Sequence, residues 1–306
     1  MSYSQKLLAS ATFIRSVLPD PDRPGRVTGA VRKLEGLEQL DPLLLGLRAA
    51  VRALPLGGAR DVLHGRWLGH PVHPVLVQVP MGTWTSAAIL DLLPGQRRTA
   101  GLLVATGLAA AAPAALTGWV DWAELRRPQL RVGVVHAAMN SVGVGLYAAS
   151  LMARLRGRSV RGRALGYAGL TAVGIGGALG GHLAYHQAAA VNHAEDVGVR
   201  TPAGWHPLGR TAEFPVGAPV RRSVGEVPVL VVRESGGDVH VLADRCSHMA
   251  GPLSEGEVVD GCVRCPWHGS VFRLSDGWNV EGPATAPQPS FETRSVDGRV
   301  EARLRA

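Results

Sequence analysis

Four tracts of this chain lack Asp, Glu, Lys and Arg for long enough to bear on its solvent: His73 to Leu90, Thr99 to Val120, Val132 to Ala153, and Ala164 to about Gln187. A helix rises about 1.5 Å per residue, so a hydrocarbon core about 30 Å thick takes about 20 residues. The first tract is the weakest, because it contains Gln78 and Pro80 and ends at Asp91. Such tracts also form buried helices in soluble domains, but four in succession favour a bilayer. The expectation is an N-terminal four-helix transmembrane bundle over residues 61–196. All four tracts are rich in small residues, and the last repeats glycine at Gly176/Gly180 and Gly177/Gly181, a spacing that lets helix backbones approach closely in lipid. Pro113 predicts a kink or a change of packing in the second span.

Residues 1–60 offer little chemistry. The string KLEGLEQLDPLLLGLRAAVRAL places leucines at helical spacing beside charges and is interrupted by Pro42. It reads as an amphipathic segment lying on the membrane surface or packed on the C-terminal domain, the second being preferred. No apolar stretch with a cleavage site opens the chain, so no cleavable signal peptide is expected.

From about residue 203 the material changes. Short β-type runs (VPVLVVRE, DVHVLAD, GSVFRL) are separated by turn signals at SGGD and Asp276-Gly277, and SFETRSVDGRVEARL reads as a hairpin across Asp297-Gly298. The expectation is a small all-β sandwich over residues 203–306, making the chain multidomain. Charge divides at the same place. Residues 203–306 carry 11 Arg against 13 Asp and Glu, a net of −2, which leaves +10 on residues 1–202. The basic balance therefore belongs to the apolar part and its flanks, where it meets anionic lipid, and is not a nucleic-acid footprint.

Two strings in the β part carry the chemistry. Cys246-Ser247-His248 and, after sixteen intervening residues, Cys265-Pro266-Trp267-His268 each offer one thiolate and one imidazole. Two cysteines and two histidines suit a [2Fe–2S] cluster in which histidines replace cysteines on one iron. The same ligand types suit a tetrahedral zinc. The third cysteine, Cys262, stands three residues before Cys265 and reads as a small residue on the strand entering the second loop. A lone spare thiol gives no disulfide framework.

The text around these pairs, CSHMAGPLSEGEVVDGCVRCPWHGSVF, resembles the Rieske family over its whole length, including Gly251-Pro252-Leu253, Trp267, Gly269 and Phe272. The resemblance implies that Cys246, His248, Cys265 and His268 ligate a [2Fe–2S] cluster, with the loop Gly282-Pro283-Ala284 closing over it. It also implies that the Ser270 hydroxyl bonds a bridging sulfide, as in high-potential members. Phe272 stands where those members carry a tyrosine, and Gly251 and Trp267 replace the two extra cysteines of quinol-oxidising members. The likeness is thus closer to the ferredoxin and oxygenase branch, and a low or intermediate potential is expected within the Rieske range of about −150 to +300 mV.

In the apolar part, LHGRWLGHPVHPVLVQVPMGTW, TGWVDW, VGVVHAAMNSVGVGLYAAS and GGHLAYHQAAAVN resemble the four-helix membrane domain DUF2231, which implies topology but no activity. The polar residues of the spans fall on one face. His70 and His73 open the first span, Trp119, Asp121 and Trp122 close the second, His136 lies early in the third, and His182 and His186 lie late in the fourth. With an even number of spans, that is the face carrying the β domain. Intramembrane ionisable groups point to function. A haem b needs ligands from facing helices, for example His136 against His73 or His182. His182 and His186 share one helix face and cannot grip one haem from both sides. A quinone site, or interfacial histidines solvated by water and headgroups, are the other readings.

The arginines are divided evenly between the two faces, so the positive-inside rule decides nothing. The missing signal, the unpaired Cys262 and the absent disulfide place the β domain in a reducing compartment, on the cytoplasmic side together with the N-terminus. The favoured function is a membrane-tethered one-electron carrier between the membrane and a redox partner protein (a reductase, an oxygenase or a respiratory component). A haem or quinone oxidoreductase with a catalytic helical part, and a redox sensor, are the alternatives. An oxygenase would need a mononuclear iron site and a large soluble domain to host it.

Overall fold

The computed structural model describes residues 26–305; the expectations on residues 1–25, including the signal-peptide reading, lie outside the described residues. The helical part runs α1 (Arg26–Glu35), α2 (Asp41–Arg52), α3 (Ala59–His64), α4 (His73–Leu76), α5 (Gln78–Leu90), α6 (Arg97–Trp122), α7 (Arg127–Leu155) and α8 (Ser159–Gly181), which ends in a single π turn, His182–His186. Short α9 (Val197–Arg200) leads to ten strands: β1 (His206–Arg210), β2 (Val220–Val224), β3 (Val227–Arg233), β4 (Val239–Ala243), β5 (Glu257–Val259), β6 (Cys262–Arg264), β7 (Val271–Arg273), β8 (Asn279–Glu281), β9 (Ser290–Val296) and β10 (Arg299–Leu304).

Among the described residues three helices are long and apolar enough to cross a membrane: α6, α7, and α8 with its π turn. The first expected span is different, being divided between α4 and α5 at Val77. Pro80 is the physical reason. It has no N–H for the Leu76 carbonyl, so the chain restarts its helix at Gln78, where Pro80 falls among the first residues, whose N–H groups need no intrahelical partner. Among the described residues a bundle of four full-length spans is therefore not confirmed. Helix α6 runs unbroken through Pro113.

The helices α4 to α8 form two hairpins that repeat at an offset of 62–63 residues. His73 Nδ1 bonds the Ala114 carbonyl at 2.8 Å, and a Cβ on Gly118 would lie 2.8 Å from its ring. His136 Nδ1 bonds the Gly176 carbonyl at 2.7 Å, and a Cβ on Gly180 would lie 3.1 Å from its ring. Eleven residues after each histidine an aromatic ring lies over a glycine of the next helix, Trp84 on Gly107 and Tyr147 on Gly169. Equivalent residues meet between the hairpins. The rings of Trp84 and Tyr147 stack at 4.1 Å, and those of His73 and His136 meet edge-on at 6.2 Å. Helices α5/α6 and α7/α8 are thus two copies of one unit around a pseudo-two-fold axis along the helices, the arrangement of parallel internal repeats.

Residues 26–52 pack on one end of these hairpins. Leu44 is buried with Trp122, Ala123, Leu125 and Leu130. Arg131 chelates Asp41 (Nε–Oδ1 and Nη2–Oδ2 both 2.8 Å), and Arg52 pairs with Glu124. Pro42 does not break α2; it sits in the first turn, where its missing N–H costs nothing.

The β part is two antiparallel sheets, one ordered β1-β10-β9-β4-β3-β2 and the other β5-β6-β7-β8. Strand β3 is a continuous apolar run because both its faces are covered. Val229 and Val231 join Leu208, Phe214 and Val241 on one side, while Leu230 and Val232 join Leu242, Val263 and Phe272 on the other. The β9–β10 hairpin turns at Asp297 and Gly298 with φ of 49° and 73°, the left-handed pair that a two-residue turn demands.

Candidate metal centre

Two loops, one leading from β4 to β5 and the other joining β6 to β7, are built alike. In the first, the Cys246 N–H donates to the Gly251 carbonyl (2.8 Å) and the Ala250 N–H to the Cys246 carbonyl (2.9 Å). In the second, the Cys265 N–H donates to Ser270 (2.8 Å) and the Gly269 N–H to Cys265 (3.1 Å). The fifth residue of each loop is left-handed, Ala250 at φ 63° and Gly269 at φ 74°. Each turn brings its cysteine and histidine to the same tip, and the His248 and His268 rings stand 5.1 Å apart, edge to face. The loops interlock at Gly251, where a Cβ would meet both Cys265 Sγ and the Trp267 ring at 3.0 Å.

The electrostatics at the tip favour metal-ready donors. The Cys246 thiol donates to the Cys265 sulfur, which holds Cys265 below and Cys246 above the usual thiol range. Main-chain N–H groups of His248 and Met249 point to the first sulfur, and those of Trp267 and His268 to the second. Burial pushes His268 down to about 4 and His248 well below the imidazole range, so both stay neutral at pH 7 and keep a lone pair for metal. His248 Nδ1 is buried without a hydrogen-bond partner. A buried imidazole nitrogen left without a partner is costly unless something else binds it. The donor set fits a [2Fe–2S] cluster.

Surrounding residues lock the tip. Ser270 is fully buried, and its Oγ accepts from the Ala284 N–H at 3.1 Å, which leaves the hydroxyl proton free to donate. Gly282 packs so closely on Ser270 that a Cβ would fall 2.7 Å from its Cα. Gln288, which the sequence reading missed, is buried and ties the first loop down. Its amide donates to the Ala243 and Arg245 carbonyls (both 2.7 Å) and accepts from the Ser247 N–H (3.0 Å). Cys262 lies half-buried on β6, outside the tip.

The tip faces the helical part. The His193 N–H donates to the Ser247 carbonyl (2.8 Å), the Gly282 N–H to Asp61 Oδ1 (3.2 Å), and Arg66 to the carbonyls of Asn279 and Val280. Between the parts is a cavity of about 20 Å³, room for one water, lined by His64, Asp121, His248 and Pro283 among others. His64 is 2% exposed, its Nδ1 is 2.8 Å from Asp121 Oδ1, and its Nε2 has no partner. It too was missed, although it stands inside the LHGRW string. The signal available was its place six residues before His70, in the same histidine-bearing string.

Of the four membrane histidines predicted, the structure joins them in two pairs. His73 meets His136, while His182 turns away from both. His182 Nε2 donates to Glu35 Oε1 at 2.8 Å, and its ring stacks on His186 at 4.4 Å. His70 bonds only the neighbouring Pro71 carbonyl.

A two-sheet β domain with a Cys–His pair on each of two matched loops defines the class of proteins that hold a [2Fe–2S] cluster at a loop tip. The chain belongs to the Rieske [2Fe-2S] domain family, which matches residues 204–292 and is joined in the same chain to a match over residues 69–193 with the family described as predicted membrane protein (DUF2231). The anthranilate 1,2-dioxygenase ferredoxin subunit of Burkholderia cepacia is 40% identical over 104 residues, 34% of this chain and 95% of that protein. Ferredoxin CarAc of Metapseudomonas resinovorans is 34% identical over 77 residues, 25% of this chain and 71% of that protein. Among solved structures, the ferredoxin of carbazole 1,9a-dioxygenase from Nocardioides aromaticivorans IC177 covers 34% of this chain and 100% of its own, at 20% identity and a TM-score of 0.32. The match to apoptosis-inducing factor 3 of Mus musculus spans only 12% of that protein.

Proposed function

We propose that this protein is a membrane-anchored one-electron carrier in which Cys246 and Cys265 bind one iron and His248 and His268 the other. The carrying observation is the partnerless Nδ1 of His248 at a tip that also gathers two hydrogen-bonded sulfurs. The near-complete coverage of a dioxygenase ferredoxin subunit supports a carrier rather than an oxygenase. When bound, the cluster accepts and releases single electrons. The chain supplies the four donors, the main-chain N–H groups aimed at the sulfurs, the Ser270 hydroxyl, and a buried seat against the helical part. Phe272, fully buried, has no hydroxyl to add a further donor, which keeps the potential low or intermediate.

The three membrane-length helices among the described residues and the DUF2231 match support a membrane anchor. Residues 26–52 and the β domain meet at the same end of the helices, which puts them on one side, and the lone half-buried Cys262 suits the cytoplasm as that side. A soluble reductase, an oxygenase or a respiratory component is the partner. On the outer edge, Pro266 and Trp267 are exposed, and Arg48, Arg52 and Arg126 lie near His268 together with Glu124, which pairs with Arg52; the surplus of arginine leaves a basic rim that suits an acidic partner face. An EPR and optical redox titration in membranes tests the assignment. The expected result is a two-iron signal at low or intermediate potential, lost with its iron in Cys246→Ser and His248→Ala. Zinc without iron, or full iron content in those variants, rejects it.

A second reading gives the helical part a haem or quinone site. The observation favouring it is the pair His73 and His136, each with Nδ1 committed to a carbonyl of the neighbouring helix; this leaves Nε2 of His73 for a metal or a hydrogen bond, while Nε2 of His136 meets the Asn140 amide at 3.2 Å and would exchange that contact for one. A Soret band that diminishes in His136→Ala supports it, and its absence after expression with ample haem rejects the haem.

A further inference from the structure

We propose a second metal site, for one divalent first-row ion such as zinc, formed by Glu35, His182 and His186 at the end of α8. It does not depend on the cluster assignment. Among the described residues, the donor atoms of these three lie within 4.8 Å of one another, close to the spacing of ligands around one ion.

The geometry comes from the π turn. Its closing bond, from the Gln187 N–H to the His182 carbonyl at 3.0 Å, spans five residues instead of four. Within it the rings of His182 and His186 stack, 4.4 Å apart and 27° from parallel. Two imidazoles on one face cannot bracket a planar macrocycle, but they are the spacing by which a helix grips a single ion, with a carboxylate from elsewhere as third ligand. Isolated π turns are frequent at functional sites. Glu35 supplies that carboxylate from α1, and its Oε1 already receives His182 Nε2 at 2.8 Å and Gln187 Nε2 at 3.0 Å.

Two further observations mark a built site rather than a chance ion pair. Gln187 Oε1 is buried and has no hydrogen-bond partner, an orphaned acceptor next to the three donors and available as a fourth oxygen. The supports are buried residues at the start of α7. Arg131, itself fixed by Asp41, donates to the Glu35 carbonyl (2.6 Å), and Gln129 donates to the Gln187 carbonyl (2.9 Å). An ion would take the place of the proton shared by His182 and Glu35. His186 is exposed, which gives an entry path and an open coordination position.

The test uses the full chain with its cluster loaded, so that the Cys–His loops are occupied. Zn²⁺ is titrated, and Co²⁺ is added as an optical probe while the cluster EPR signal is followed as a reporter of folding. One ion per chain beyond the cluster iron is expected, with a cobalt spectrum free of thiolate charge transfer. Affinity should fall at least about tenfold in Glu35→Gln and in His186→Ala. Both variants should retain the cluster signal, since one is isosteric and the other alters an exposed ring. A parent protein that takes up no stoichiometric ion overturns the proposal. So does unchanged affinity in both variants, which would leave Glu35 and His182 as a strut holding α1 to α8.

Discussion

Asp91 and Arg154 occupy the same place in the two helical hairpins, 63 residues apart, and pair with each other at the end remote from the β domain. Both side chains are under 10% exposed, and the guanidinium meets the carboxylate with two nitrogens. Equivalent sites on a pseudo-two-fold axis bring like to like, as they do for His73 with His136 and for Trp84 with Tyr147. Here the two copies carry opposite charges, so the contact across the axis is a bidentate ion pair. Removing one partner leaves a buried charge uncompensated. Asp91→Ala or Arg154→Ala should cost about 3–5 kcal/mol, while the double replacement by leucine should cost far less than the sum. Thermal unfolding of the three variants in detergent measures both.

Two glycines of α6 should respond to alanine with opposite sign. A Cβ on Gly107 would fall 2.3 Å from Trp84 Nε1, whose indole is held between Tyr147 and the Val104 carbonyl and has nowhere to move. Gly107→Ala should destabilise by about 1–3 kcal/mol. Gly101 has nothing within 4 Å of such a Cβ, so Gly101→Ala should stabilise the helix by about 0.5–1 kcal/mol. The same unfolding assay decides, and two changes of like sign would contradict the packing described.

Much of this was legible in the sequence, and the losses have physical causes. Short β-type runs and turn residues gave the β domain, since β3, β4, β7 and the Asp297-Gly298 hairpin all lie where those runs and turns place them. The paired Cys–His strings located the tip because ligand spacing is a local property. Counting uncharged residues located three membrane-length helices but overran Pro80, because hydropathy does not register a missing N–H. The internal repeat was hidden by its chemistry. A histidine, an aromatic eleven positions later and the glycines opposite recur in both copies, but the remaining matches, such as Gly82/Gly145 and Leu108/Leu170, are small or aliphatic residues that this composition repeats everywhere. His64, Gln288 and Glu35 were missed because their partners are 57, 41 and 147 positions away, beyond any local pattern.

Ala250 carries a conformational strain that its counterpart Gly269 does not. Both sit in the left-handed region, at 63° and 74°, as the fifth residue of matched loops. An alanine there costs about 1–2 kcal/mol that a glycine avoids. Ala250→Gly should raise stability by up to about that amount and leave the cluster's EPR signal in place. Calorimetry with parallel EPR checks this; a loss of stability would mean the methyl group has a packing role.

Ser270 offers a direct route to the potential. Its Oγ accepts from the Ala284 N–H, so its own proton is the one polar hydrogen of the side chain left to aim at the cluster. Ser270→Ala should lower the midpoint potential, because a donor to sulfur stabilises the reduced, more negative state. It also leaves a buried N–H unpaired, at a cost of about 1–3 kcal/mol. Redox titration followed by EPR separates the two effects, and an unchanged midpoint with reduced stability would confine Ser270 to structure.

Cys262 gives the side of the membrane on which the β domain lies. It is half-buried on β6, whereas Cys246 and Cys265 are buried at the tip and committed once a cluster is bound. Burial pushes its thiol up, so labelling is slow at neutral pH and faster in mildly alkaline buffer. A membrane-impermeant maleimide applied to vesicles of opposite orientation should label the protein only when the cytoplasmic face is outward, and Cys262→Ser should abolish the label. Labelling from the other face would place the β domain outside, and its electron partner would then have to be sought there.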